Sequence, residues 1–138
     1  MFNIIEMKKI GFYDEKIFLY FEENDLFFKC IKNKIKILLC NNIYIHHLGN
    51  ASTDSKHKIE IELNRNWHYM WSKFYYYMKN YSYLRGIKET ILQFIRSNIK
   101  LCFCYFTDYK KFLIYKNRAS GLYNSYLKKK SWRRPNIK

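Results

Sequence analysis

The sequence is short of residues that break or loosen a chain, with one proline and four glycines among 138 residues. That excludes a Pro/Gly-rich linker and a low-complexity segment, and no internal repeat is visible. No uncharged run approaches the ~20 apolar residues that a membrane-spanning helix needs. No signal peptide is evident, so reduced thiols and a cytoplasmic location are expected. Cysteines are few: Cys30, Cys40, Cys102 and Cys104. None of their spacings is that of a zinc ribbon or finger; the remaining zinc combination pairs Cys30 or Cys40 with His46 or His47. The scarcest commodity is negative charge in the second half. Residues 64–138 hold 17 Lys/Arg against Glu89 and Asp108 alone, whereas residues 1–63 balance 9 against 9, so the whole net +15 sits in the later part. Such a tail is either a solvated basic face or a surface for phosphates, of nucleic acid or of anionic lipid.

What is present suffices for one ordinary domain: 49% hydrophobic residues, with 14 Tyr and 11 Phe. The start reads as a short apolar helix stopped at Gly11, and "DEKIFLYF" as an extended segment. A helix is expected from Asn24 or Asp25, with Leu26, Phe27, Cys30 and Ile31 as its apolar stripe and Asn33 as its end. "KIKILL" and "IYIHH" read as β-type segments around an Asn41-Asn42 turn, and the polar stretch that follows reads as a loop. Beyond residue 63 the period becomes helical. Trp67, Met70, Trp71, Phe74 and Met78 share one face. Leu84, Ile87, Ile91, Phe94, Ile95, Leu101 and Cys102 form a second stripe, and Tyr109, Phe112, Ala119, Leu122 and Tyr126 fit a third helix. Such stripes are usually core, although Trp and Tyr mixed with Lys and Arg also mark helices that lie on a membrane surface.

The stretch "GFYDEKIFLYFEENDLFFKC", residues 11–30, sets Asp14, Glu15, Glu22, Glu23 and Asp25 among large apolar side chains. Buried carboxylates are costly without partners. One reading is a helix start, where acids favour the dipole and cap free N–H groups. The other is the edge of an active site.

Three separated elements favour the site. Gly11, Phe12, Asp14 and Glu15 make the first; Phe18, Tyr20, Glu22, Asp25 and Leu26 the second; His46, His47, Gly49 and Ser52 the third. In this order they resemble the C-terminal part of the catalytic domain of family 2 glycosyltransferases, nearest the rhamnosyltransferase and cell-surface polysaccharide group. The likeness covers about residues 2–55, with a looser one at the C-terminus. It implies an α/β fold for residues 1–63, a partial GT-A-like core of short helices and a few strands. A mainly helical, basic and aromatic extension would occupy residues 64–138.

The resemblance also implies chemistry. Inverting sugar transfer needs a carboxylate to take the acceptor's proton, a role that falls to Glu23. Family members commonly have Asp there, and the extra methylene of Glu moves the oxygen by about 1 Å, enough to matter for aligned proton transfer. Glu22 and Asp25 would orient the acceptor or the base, since clustered carboxylates raise one another's pKa. His46 would lie near a divalent metal, Mg or Mn, that neutralises the departing diphosphate; His47 is expected to be structural. The implied partners are a nucleotide-sugar donor and a glycan or lipid-linked acceptor. The family's Asp-x-Asp, which belongs to its nucleotide-binding half, is absent from this sequence. The expectation is therefore an incomplete transferase, weakly active or inactive by itself, that works with a separate N-terminal half at the inner face of a membrane. A basic, Tyr-rich module without catalysis is the alternative. It would bind an anionic membrane surface or nucleic acid, the latter disfavoured because no RNA or DNA motif is present.

Overall fold

The structure, a computed structural model, describes residues 3–46 and 57–133. Its five helices are α1 (Ile4–Ile10), α2 (Glu22–Lys32), α3 (Lys58–Asn80), α4 (Tyr83–Thr107) and α5 (Tyr109–Tyr126). Local chemistry sets most of their ends. Asn3 caps α1 through its side chain, and Gly11, at φ 68°, stops it. Ser82 and Asp108 cap α4 and α5 in the same way as Asn3.

Helices α3, α4 and α5 form an up-down-up bundle joined by very short connections. Glu62 meets Lys110, and Asn66 accepts from Arg118 at 2.7 Å, so α3 and α5 run in parallel. Phe94 meets Tyr126, and Lys100 donates to Tyr115 at 3.0 Å, which sets α4 antiparallel to α5. Phe74 and Leu122 are fully buried at the centre, with Met70 beside them and Ile87, Phe94 and Tyr126 packed around. Two glycines permit close crossings. A Cβ on Gly121 would strike the Trp67 carbonyl, and one on Gly86 would sit 2.8 Å from the Phe74 ring.

The expected α/β core for residues 1–63 is not what the chain forms: the described residues are helical or irregular, with no strand among them. The β-type segment at residues 34–39 and the described part of the one at 43–47 are irregular and largely exposed, Leu39 at 89% and Tyr44 at 91%. The turn at Asn41-Asn42 does form, closed by the Ile43 N–H on the Cys40 carbonyl at 3.5 Å. Strand-favouring side chains need a paired edge and a surface to cover, and a lone hairpin has neither. The "DEKIFLYF" stretch is a series of turns rather than an extended run, because the Asp14 carboxylate folds back onto the Lys16 N–H at 3.0 Å.

The expected stripe on α3 is the buried one: Trp67, Met70, Trp71 and Phe74. On α4 it is not. The buried positions are Gly86, Thr90, Ser97 and Cys104, while Leu84, Leu92, Ile95, Ile99, Phe103 and Phe106 face outward. Close helix approach selects small side chains. On α4 the small buried residues lie at the border of the apolar side rather than at its centre, so the apolar period does not mark the closest approach.

Candidate functional site

Asp14, Glu22, Glu23 and Asp25 gather near one strained turn, whereas Glu15 is exposed and lines a separate cleft. Tyr20 (φ 66°) and Phe21 (φ 68°, ψ 0°) both occupy the left-handed region, an outlier for bulky side chains. Neither glycine nor asparagine relieves them, so surrounding contacts must hold the turn. Ser72 of α3 donates to the Leu19 carbonyl at 2.8 Å. The Tyr20 ring packs edge-on against Tyr69, and the Phe21 ring lies between Tyr69 and Tyr76.

That turn opens directly into α2, with Glu22 and Glu23 as its first two residues and Asp25 in the same turn. Their positions suit the positive end of the helix dipole, but their environments differ. Glu23 is exposed. Glu22 is half-buried, and its Oε2 is shut away without a hydrogen-bond partner in a protein where almost all such atoms have one. Asp25 is fully buried. Its Oδ2 accepts from Lys79 at 2.7 Å and its Oδ1 from Asn80 at 2.8 Å, with Lys29 at 3.6 Å.

Lys79 is the hub, because it also donates to Asp14 at 2.7 Å. Tyr75 donates to the same Asp14 oxygen at 3.1 Å. Burial opposes ionisation of Asp14, yet hydrogen bonds from Lys79, the Lys16 N–H and Tyr75 outweigh it and hold the carboxyl below its ordinary value. Burial likewise works against the Lys79 charge, and the two carboxylates overcome it and raise its pKa. Burial, then Asp14, push the Tyr75 phenol above its usual range. Asp25 is thus engaged with α3, and Glu23 is the carboxylate of this turn that a ligand can reach.

His46 is exposed in the irregular stretch after the Asn41-Asn42 turn, and His47 lies outside the described residues, as do Gly49 and Ser52. Among the described residues no three His, Cys, Asp or Glu side chains converge as metal ligands. The residues described therefore do not fit a divalent ion by themselves. Cys30 and Cys104 are buried free thiols; Cys40 and Cys102 are exposed ones.

Sequence reasoning did not single out Asp14, Tyr75 and Lys79 as one network, because the Asp14–Lys79 pair spans 65 positions. Nor did it find the segment after α5, where Lys129 and Ser131 anchor to buried α3 side chains. The Trp71 Nε1–H donates to the Lys129 carbonyl at 3.0 Å, and His68 Nδ1 meets the Ser131 hydroxyl at 3.0 Å. No protein-family model, curated protein or solved structure matches the chain.

Proposed function

We propose that this chain is the acceptor-side part of a family 2-type glycosyltransferase, carrying Glu23 as the base. The observation that supports this reading is the strained Tyr20-Phe21 turn. Two bulky residues held at positive φ cost of order 1–3 kcal/mol each, and such strain gathers at working sites. Here it presents an exposed carboxylate at a helix start. In the reaction, the acceptor hydroxyl oxygen bonds to the anomeric carbon as the bond from that carbon to the diphosphate oxygen breaks. The hydroxyl proton passes to Glu23. Asp25 acts from behind, fixing α2 to α3 rather than touching the acceptor, and Glu22, its Oε2 shut away from solvent, lies behind Glu23 as well. The nucleotide-sugar is held by residues outside this chain's motifs, in a separate donor-binding half.

The experiment is to assay a panel of nucleotide-sugars with the 138-residue protein alone and with a donor-binding half supplied. Turnover is expected only in the assembled pair, abolished by Glu23→Gln with donor binding intact. Sustained turnover by the chain alone, or a fully active Glu23→Gln pair, overturns the reading.

The outer face of α4 supports a peripheral position at the cytoplasmic side of a membrane. Leu92, Ile99, Phe103 and Phe106 form an apolar strip beside the exposed Lys88 and Arg96, and among the described residues no helix is long and apolar enough to cross a bilayer. Glu89, the single acid of α4, is already paired with Arg85 at 2.8 Å. Liposome flotation with anionic vesicles tests this: binding should fall at least severalfold in Phe103→Ser/Phe106→Ser and with neutral lipid. Unchanged flotation in that variant removes α4 from the contact.

A further inference from the structure

A cleft of about 610 Å³ has no residue of α2 in its lining, and the transferase reading makes no use of it. Trp71, Tyr75 and Met78 of α3, with Ser125 of α5, contribute to its lining, the Trp71 and Tyr75 rings stacked at 4.9 Å. Phe18 and Trp132 contribute two largely exposed rings. The remainder is strongly basic: Lys16, Lys128, Lys129, Lys130 and Arg133, against Glu15 as the one acid.

This wall is built, not merely a frayed end. Residues 129–133 run without regular structure, pinned to α3 by the Trp71 and His68 contacts and by Arg133, which reaches Glu60 at 3.2 Å. The Lys129 N–H closes on the Asn124 carbonyl at 3.0 Å, and Lys128 takes a left-handed φ of 54° to turn the chain. Arg133 spends its charge on Glu60, and Lys128 sits over the Tyr83 ring at 5.6 Å. Lys16, Lys129 and Lys130 make no salt bridge among the described residues. Like charges held together around an aromatic recess repel unless an anion joins them.

We propose that this cleft binds a phosphate or diphosphate ester carried on an apolar or flat body. Lys16, Lys129 and Lys130 hold the phosphate oxygens while Phe18 and Trp132 cover the body. A lipid phosphate and a nucleotide share this chemistry. The site does not use Glu22, Glu23 or His46, so it stands or falls separately from the transferase reading.

Calorimetric titration of the full chain with farnesyl diphosphate, uridine diphosphate, inorganic pyrophosphate and farnesol tests it. At least one ester should bind about tenfold or more tighter than both pyrophosphate and farnesol, a difference of about 1.4 kcal/mol. The ester that does so identifies the source as lipid or nucleotide. Lys129→Ala/Lys130→Ala and Trp132→Ala should each weaken that ester about tenfold. All three side chains lie at the surface, so the fold, followed by circular dichroism, should persist. Lys110→Ala/Lys111→Ala, which removes equal charge at the far end of α5, should leave binding unchanged. If no ester exceeds pyrophosphate tenfold, or if both lysine pairs have the same effect, the proposal is overturned.

Discussion

Residues 3–46 and residues 57–133 are held together by different physics. The later region is a bundle with a continuous core around Phe74 and Leu122. The earlier one has a small cluster of Met7, Leu26 and Cys30, and otherwise reaches α3 through carboxylates, one lysine, a serine and tilted or edge-on ring contacts. Hydrophobic burial tolerates small displacements, whereas a strained turn and a buried ion network exist in one geometry or not at all. The bundle therefore acts as the support, and the segment carrying Glu22 and Glu23 is shaped by docking onto it.

The most damaging change to the support is at the α3–α5 crossing. Gly121→Val places carbon against the Trp67 backbone, which cannot retreat as a flexible side chain could. A loss of about 3 kcal/mol or more is expected in urea unfolding, with both regions melting together. Equal stability of the variant would mean the helices cross less closely than described.

Removing the hub should separate the regions. Lys79→Met takes the nearer ammonium from the fully buried Asp25 and leaves it Asn80 and the longer Lys29 contact at 3.6 Å; breaking a buried pair costs up to about 3–5 kcal/mol. That cost falls on the interface, so the helical signal of the bundle should survive while proteolysis within residues 14–32 accelerates. Unaltered cleavage there would show that the network does not hold the segment.

Acid and base should act on the same interface. Asp14 has a lowered folded pKa, so its contribution is present above its ordinary value of 3.8 and lost as pH falls through the lower folded one. Lys79 has a raised pKa, so its contribution is complete below 10.5 and lost as pH rises through the higher folded one. Docking of the segment is thus firmest between these limits, with loosening below pH 3.8 measurable by Tyr fluorescence. A flat response there contradicts the ion pairing. The smallest expected effect is that of Ser72→Ala. It deletes one hydrogen bond to the Leu19 carbonyl and should cost about 1 kcal/mol while speeding cleavage at the Tyr20-Phe21 turn.

The helices were legible wherever a local rule sufficed. Gly11 stops α1, Asn33 ends α2 (which begins at Glu22 rather than at the expected Asn24 or Asp25), and the aromatic period of α3 names its buried face. The α/β expectation failed at residues 34–39 and 43–46 because β-propensity describes a fit to a neighbouring strand, and the described residues supply none. On α4 the apolar stripe marks Ile87 and Phe94, which pack on the core, but not Gly86, Thr90, Ser97 and Cys104, because small residues, not large ones, mark a close crossing. At the candidate site, the clustering of Glu22, Glu23 and Asp25 follows from their spacing on α2 alone. Their division into exposed, half-buried and buried does not, since Lys79 and Asn80 lie more than 50 positions away. The left-handed Tyr20-Phe21 pair carries no glycine or asparagine to announce it.

Hydrogen exchange of the native protein and of Lys79→Met tests most directly whether the bundle shapes the carboxylate-bearing segment. The account predicts that amides of residues 19–32 lose protection in the variant while those of 63–80 and 112–126 keep theirs. Uniform loss across both regions, or none in either, would contradict it.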